Sequence, residues 1–179
     1  VWIGCEHPLR KWGVYRWLVE MQSEGKNVCD QRIVVNLANQ DLRLFEHGEE
    51  CARYPVSTSK FGPGCEEGSY RTPLGHFTVD TMIGAGSPER TIFRSRLPDG
   101  MWEPGKLAPE DEGDLVLTRI LWLHGVEEQN ANTKQRYIYI HGTNREELIG
   151  SPESQGCVRM KNADMVDLFG RVAEGTAVE

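Results

Sequence analysis

Apolar and polar residues alternate along most of this chain, and a two-residue period is typical of β-strands with one buried face. Three such runs, joined by short polar turns, predict an antiparallel meander. Their ranges are residues 32–37, 42–46 and 51–57. Further strands are predicted at residues 77–83, 114–124, 135–141 and 176–179, with the apolar 114–124 run central and the last run at an edge. The pattern is that of a mostly-β protein.

Two segments repeat their apolar residues at helical spacing instead. Residues 8–24 lie between a proline and a glycine that suit the two ends of a helix. Residues 163–171 predict a second, short helix that Asn162 can cap. Its inward face is predicted to hold Val166, Phe169 and Gly170. We therefore expect residues 1–30 to form a helical extension and residues 31–179 to form one β-sandwich or barrel-like sheet.

Residues 84–113 are punctuated by proline and glycine and separate two predicted strands. A connection of this length in a compact domain is usually a lid or a binding element. Within this segment, residues 91–96 are a possible strand. The segment is therefore a candidate for contact with a ligand.

Composition narrows the function classes. The chain has 179 residues, 39% of them hydrophobic and 26% charged, which is typical of one globular domain. Its net charge of −7 argues against nucleic-acid binding. Acidic clusters such as residues 110–114 are interpreted as solvated loops. No apolar run is long enough to span a membrane. The first residue is Val1, so we expect a mature or trimmed form.

The chemistry is concentrated between Tyr137 and Met160. A predicted strand places Ile138 and Ile140 in the core, and puts Tyr137, Tyr139 and His141 on the other face. Sixteen residues after His141 comes Cys157, within a Gly-Cys turn. A cysteine attacks carbonyl groups as a thiolate, which needs a nearby base or positive charge. We expect His141 to face a cleft and to share a proton with Cys157, so that the thiol stays reactive below pH 7.

This segment resembles the signature of the L,D-transpeptidase (YkuD) catalytic domain of bacterial cell-wall enzymes. The matching residues are His141-Gly142-Thr143, Gly150, Ser154, Gly156-Cys157 and Arg159. A second resemblance to the same family lies in residues 54–60 and 69–77, which are similar to its PVSTG…TPxGxF segment. Together the resemblance covers residues 31–179. The family often has a histidine directly before the Gly-Cys pair, where this chain has Gln155.

The resemblance implies a fold with a short helix beside the site, and a role for each matching residue. Cys157 would be the nucleophile, His141 the base, and Gly142 would orient the imidazole through its carbonyl. The positions implied to bind substrate or the oxyanion are Gly156, Arg159, Ser154 and Tyr139. For Arg159 we expect both bracing and binding, and for Ser154 chiefly fixing of the loop. No metal or organic cofactor is implied.

The implied reaction is peptidoglycan cross-linking in the periplasm or cell envelope. Cys157 would form a thioester with a stem peptide, release D-Ala, and pass the acyl group to a second stem as a 3→3 link. Carbapenem-type β-lactams would acylate the same thiol. Alternatives stay open: an L,D-carboxypeptidase, transfer to a lipoprotein lysine or a free D-amino acid, or a non-catalytic wall-binding module. A papain-like protease is excluded, because its cysteine precedes its histidine.

Four cysteines remain, an even set that an oxidising compartment could pair or leave as idle thiols. They are Cys5, Cys29, Cys51 and Cys65. A continuous helix at residues 8–24 would hold Cys5 and Cys29 too far apart for a disulfide. If a bond exists, we favour Cys29 with Cys51. No Cys/His spacing predicts a zinc site.

Overall fold

The computed structural model describes residues 30–106 and 113–179. The predicted helix at residues 8–24, with Cys5 and Cys29, lies outside the described residues, so the extension and the Cys29–Cys51 pairing stay predictions. Within the described residues, Cys51, Cys65 and Cys157 have free thiols. The strands are β1 (Gln31–Asn36), β2 (Asp41–Glu46), β3 (Glu49–Ser57), β4 (Phe77–Ile83), β5 (Thr91–Arg94), β6 (Leu97–Met101), β7 (Leu117–Gly125), β8 (Tyr139–Gly142), β9 (Val158–Met160) and β10 (Ala177–Val178). One α-helix, α1 (Asn162–Arg171), and two 3-10 helices, Glu128–Asn130 and Glu146–Leu148, complete the described elements.

The sheet closes on itself. Its order is β4-β10-β1-β2-β3-β9-β8-β7, and β7 pairs again with β4. This confirms the mostly-β, barrel-like fold and the β1–β2–β3 meander, whose short connections fix the antiparallel pairing. The prediction of an edge strand at residues 176–179 was wrong. β10 lies between β1, to which it is parallel, and β4, because a closed sheet has no free edge at that place.

Strand β9 was not predicted. It begins directly after Cys157 and lies between β8, to which it is parallel, and β3, to which it is antiparallel. Three residues are too few to show a period, so the sequence indicated only a turn. The consequence is that the backbone of the Gly-Cys turn continues into an interior strand held from both sides.

Helix α1 packs against β7 and β8. Its buried apolar residues are Met165 and Leu168, and Phe169 packs against the core as predicted. Val166 is 38% exposed and Gly170 is exposed, so the predicted inward face was wrong at these two positions. The N-cap residue is Lys161 rather than Asn162. Asn162 is itself buried and bonded to strand residues, and this contact sets the phase that turns positions 165 and 168 inward. Ile138 and Ile140 are buried as predicted.

The long segment that begins at residue 84 contains a β-hairpin, which we call the β5–β6 arm. Its strands are joined by the two-residue turn Ser95-Arg96, with Arg94 opposite Leu97. The arm meets the barrel where Ile92 pairs with Leu117 of β7. The sequence left a strand open at residues 91–96 but missed β6, because Pro98 and Gly100 disfavour strands.

Candidate active site

The parallel pair β8–β9 brings the two reactive side chains together. Ile140 is opposite Val158, and His141 is opposite Arg159. Paired residues of adjacent strands point to the same side, and residues two apart on one strand do so as well. Cys157 and His141 therefore lie on one face of the sheet, in diagonal register.

His141 is buried, at 2% exposure, and not open to a cleft as expected. Its Nδ1 lies 2.7 Å from the carbonyl oxygen of Gly142. A carbonyl oxygen only accepts, so Nδ1 carries the proton and Nε2 of the neutral ring has the lone pair. Burial lowers the pKa of His141, opposed by the charge of Asp114 and by the Gly142 carbonyl. The imidazole is thus neutral and oriented, as a base requires.

Gly142 is required at its position by close packing. A Cβ there would lie 2.5 Å from Oδ1 of Asn162 and 2.9 Å from the carbonyl oxygen of Leu117. The same Oδ1 accepts a 2.5 Å hydrogen bond from the Thr118 hydroxyl, and the Asn162 amide donates to the Thr143 carbonyl at 2.8 Å. The beginning of α1 therefore clamps the strand end that carries His141. Sequence reasoning gave Asn162 only a capping role and missed Thr118.

Cys157 rests as a thiol. Its Sγ accepts from the amide of Tyr139 at 3.4 Å and donates to the carbonyl of Tyr137 at 3.4 Å. Burial raises the pKa of the Cys157 thiol to about 12, chiefly by desolvating the thiolate. No hydrogen bond joins Sγ to the His141 ring among the described residues. The structure therefore favours a neutral thiol–imidazole pair, in place of the shared proton that the sequence led us to expect.

The loop before Cys157 is fixed by buried hydroxyl groups. Ser154 Oγ donates to the Cys157 carbonyl at 2.6 Å and accepts from the Gly156 amide at 3.3 Å. Thr72 Oγ1, from the second motif, donates to the Gly156 carbonyl at 3.0 Å. Gly156 has φ +120°, a region that favours glycine. The Cys157 amide has no acceptor among the described residues, so it is left to donate elsewhere.

Arg159 is buried, at 2% exposure, and has two partners. It lies 3.2 Å from Oδ1 of Asp114 and donates to the Ser57 hydroxyl at 2.8 Å. Its Nε is buried without a partner in the described residues. The expected bracing contacts are present, whereas the expected substrate contact has no exposed surface to support it. Asp114 was missed because it ends an acidic run that we interpreted as a solvated loop.

Two more exposed regions lie near Cys157. In the first, Gln155 and Tyr70 border a cavity of about 150 Å³ with Arg136, whose guanidinium donates to the Arg71 carbonyl at 2.7 Å. The second is the β5–β6 arm. Tyr139 is 7% exposed and reaches the arm through its hydroxyl group.

A larger cavity, of about 400 Å³, contains none of the candidate residues. Its walls are mainly the end of β1 and residues 72–77. Over residues 30–106 and 113–179, no three His, Cys, Asp or Glu side chains are grouped as a metal site would need. No helix in the same ranges is both long and apolar enough to cross a bilayer.

Two relatives from Bacillus are similar to more than four fifths of this chain. A relative from Bacillus subtilis (strain 168), "Putative L,D-transpeptidase YqjB", is 50% identical over 149 residues, which are 83% of this chain and 70% of that protein. A Bacillus licheniformis relative, "Putative L,D-transpeptidase YkuD", is 29% identical over 147 residues. The match takes in 82% of this chain and 63% of that relative, so the chain spans less than two thirds of its length.

Solved structures share the fold. The L,D-transpeptidase LdtMt1 in complex with imipenem has a TM-score of 0.53 at 17% identity, over 84% of this chain and 58% of that one. The L,D-transpeptidase of Xylanimonas cellulosilytica has a TM-score of 0.52 at 24% identity, over 83% of this chain and 59% of that one. The sequence profile of the L,D-transpeptidase catalytic domain (YkuD) matches residues 30–179. This chain therefore belongs to the L,D-transpeptidase (YkuD) catalytic-domain family.

Proposed function

We propose that this chain is a peptidoglycan L,D-transpeptidase in which Cys157 is the nucleophile and His141 the base. The observation that carries the proposal is the diagonal register of the two side chains on β8 and β9. A neutral imidazole with a lone pair on Nε2 and a thiol on the same face form the pair that acyl transfer through a thioester needs. The substrate lies in the cell envelope, and we place the protein there.

The first half-reaction starts from the neutral pair. As Sγ of Cys157 bonds to the carbonyl carbon between the third residue and D-Ala, the thiol proton passes to Nε2 of His141. The imidazolium is stabilised by the Gly142 carbonyl and the nearby charge of Asp114. It then gives the proton to the leaving amine, the C–N bond breaks, and D-Ala departs from the thioester.

The negative charge on the substrate oxygen needs donors at the moment of attack. The Cys157 amide donates no hydrogen bond within the described residues, and the Gly156 amide has only the 3.3 Å contact with Ser154. Both amides belong to a backbone that Ser154 and Thr72 hold in place. We assign the oxyanion hole to these two amides.

The second half-reaction selects the acceptor. A side-chain amine of a second stem would attack the thioester and form the 3→3 link. Water would give an L,D-carboxypeptidase, and a lipoprotein lysine or a D-amino acid would give other products. A non-catalytic wall-binding module would form no thioester. The family relative LdtMt1 was solved with imipenem, and L,D-transpeptidase 3 of Mycobacterium tuberculosis with a faropenem-derived adduct. We extend β-lactam acylation to Cys157 of this chain.

The test is incubation of the protein with purified disaccharide-tetrapeptide, with products identified by mass. Cross-linked dimer is expected, trimmed tripeptide alone would indicate the carboxypeptidase, and no product together with no thioester would overturn the proposal. Imipenem should add its mass to the peptide that contains Cys157. Cys157→Ala should abolish both reactions. Cys51→Ala is the matched control, because Cys51 is an exposed free thiol on β3 and its loss should change neither.

A further inference from the structure

The turn of the β5–β6 arm carries an arginine that lies against three aromatic side chains. The Arg96 guanidinium carbon is 4.7 Å from the centroid of the Trp122 ring and 5.3 Å from that of Tyr137. Its Nη1 donates to the Tyr139 hydroxyl at 3.4 Å. Trp122 and Tyr137 are themselves stacked, with centroids 6.0 Å apart. The guanidinium therefore has aromatic neighbours on its faces, and its in-plane N–H groups supply the directional hydrogen bonding.

Arg96 forms no ion pair with a carboxylate of the described residues. The neighbouring cations differ in this respect. Lys134 also lies over the Trp122 ring, at 5.2 Å, but its ammonium is 2.6 Å from Asp80. Arg94 of the same arm pairs with Asp99 at 2.7 Å. In a chain with a net charge of −7, an arginine without such a partner is available to an anion.

The backbone at this position is also unusual for an arginine. Ser95 and Arg96 have φ of +48° and +69°, both in the left-handed region. Two-residue hairpin turns of this kind normally use Asn-Gly, since a Cβ disfavours the left-handed region. Arg96 thus occupies a left-handed position that glycine would adopt more easily. That choice is explained if the side chain serves a ligand.

The aromatic platform is continuous with the nucleophile. The carbonyl of Tyr137 and the amide of Tyr139 are the two groups that contact Sγ of Cys157. Cys157 also packs against the cluster that contains Phe93 and Tyr139. A group bound at Arg96 would therefore sit beside a carbonyl under attack by Cys157.

We propose that Arg96, seated on Trp122 and Tyr137, is a carboxylate-binding subsite for the donor stem peptide. The inference rests on the proposed function, because it names a carboxylate of that function's substrate. Carboxylate oxygens match the paired N–H groups of a guanidinium edge. Two carboxylates of a stem lie close enough to the scissile carbonyl: that of the leaving D-Ala, and the side-chain carboxylate of a diamino acid that carries one. Both are recognised by the same chemistry.

The first experiment does not depend on transpeptidation. Cys157 is alkylated at low salt with iodoacetate, an anion, and with iodoacetamide, its neutral counterpart. Arg96→Gln should lower the ratio of the two rates by about three- to tenfold, and added salt should reduce the wild-type ratio. Arg94→Gln is the matched control, with its charge on the same arm but paired to Asp99, and should leave the ratio unchanged. Equal ratios in wild type and Arg96→Gln would overturn the subsite.

The second experiment identifies the carboxylate. Release of D-Ala is measured with the tetrapeptide, with its C-terminal amide (by release of D-alaninamide), and with a stem whose third residue is lysine. Arg96→Gln should lower kcat/KM for the tetrapeptide about tenfold, mostly through KM. If Arg96 binds the D-Ala carboxylate, the wild type should release D-alaninamide slowly from the amide substrate, and Arg96→Gln should not slow this further. If Arg96 binds the side-chain carboxylate, the stem with lysine should be the slow substrate, and its rate should be insensitive to Arg96→Gln.

The two failures are distinguishable. If no stem is turned over but the alkylation ratio responds to Arg96→Gln, the anion site exists and the proposed function is wrong. If stems are turned over and neither the ratio nor kcat/KM responds, the proposed function stands and this inference is wrong. Arg96→Lys separates the effect of charge from that of shape, because lysine keeps the positive charge but lacks the planar guanidinium. Compared with Arg96→Gln, this variant should recover more of the iodoacetate-to-iodoacetamide rate ratio than of kcat/KM.

Discussion

The two sides of Cys157 are built in different ways. We call Ser57, Asp114, Ser154 and Arg159 the inner wall. Three of these four residues are at most 2% exposed, and each one is hydrogen-bonded or ion-paired. The β5–β6 arm has a different character. Its Arg96 is partly exposed and is held by cation–π contacts and one 3.4 Å hydrogen bond.

The difference separates two tasks. Buried polar groups cost free energy unless every partner is present, so the inner wall is tied to folding and can hold Cys157 and His141 in one geometry. Exposed cation–π contacts contribute about 0.5–1 kcal/mol each, which a ligand can match or replace. We infer that the inner wall holds the reacting atoms and that the arm selects what reaches them.

The largest effect is expected at Arg159. Arg159→Met keeps much of the side-chain volume but leaves Asp114 without its cation. It also removes the stronger of the two donors to the Ser57 hydroxyl, which still accepts from the Glu153 amide. Because the Asp114 side chain is 31% exposed, the loss is discounted from that of a fully buried pair. We expect the free energy of unfolding to fall by about 2–3 kcal/mol in urea titrations. Adding Asp114→Asn to Arg159→Met should recover part of that loss. No recovery would mean that the pair does not act as a unit.

The second effect concerns the loop before the nucleophile. Ser154→Ala leaves the Cys157 carbonyl without its 2.6 Å donor and the Gly156 amide without its acceptor. We expect a loss of about 1–3 kcal/mol in unfolding free energy and slower acylation by imipenem. Ser151→Ala, at an exposed position three residues away, is the control and should change neither quantity. Equal behaviour of the two variants would contradict a positioning role for Ser154.

The third effect is a pH dependence of the unfolding free energy that the Cys157 thiol causes. The pKa of Cys157 is raised to about 12 in the folded protein, above that of an unfolded thiol near 8.5. The group therefore stabilises the fold below pH 8.5, and this contribution is lost as pH rises towards 12. Between pH 7 and pH 10.5 the pKa difference alone corresponds to roughly 3 kcal/mol. Because Cys157 is only partly buried, we expect the wild type to lose about 1–2 kcal/mol more stability than Cys157→Ala. A wild-type loss no larger than that of the variant would mean that the thiol is solvated.

The smallest effect is expected on the arm. Arg94→Gln removes an ion pair whose side chains are 61% and 56% exposed. Exposed pairs of this kind contribute little, so the unfolding free energy should change by less than about 0.5 kcal/mol. A loss comparable to that of Ser154→Ala would show that the arm is part of the folded core, and the separation of tasks would fail.

The spacing of apolar residues and the residue types in the turns predicted most of the barrel strands. The strands from β1 to β4 and β7 were located to within a few residues, because the alternation of β1 to β4 and the apolar run of β7 each extend over five residues or more. β9 and β10 have three and two residues, and strands so short are specified by their neighbours in space. The phase of α1 was missed for a similar reason: a tertiary hydrogen-bond network at Asn162 overrides the apolar stripe.

The candidate site was predictable in its chemistry but not in its electrostatics. The motif located Cys157 and His141, and the structure places them in one register. The motif could not show that His141 is buried and Cys157 partly buried, and desolvation moves their two pKa values in opposite directions. Nor could the motif reveal Asp114, Ser57 or Arg96, because their partners are 26 to 102 positions away along the chain. Such contacts leave no periodic signal.

Strand β10 has a consequence for the order of folding events. Its two residues join β1 to β4, so the barrel closes through contacts about 145 positions apart in the chain. Contacts of such sequence separation form late and slow the overall rate. Until residues 177–178 have emerged from the ribosome, β1 and β4 each present an unpaired edge on the nascent chain. In the cell, the interval before closure is when this domain is most exposed to mispairing with another chain.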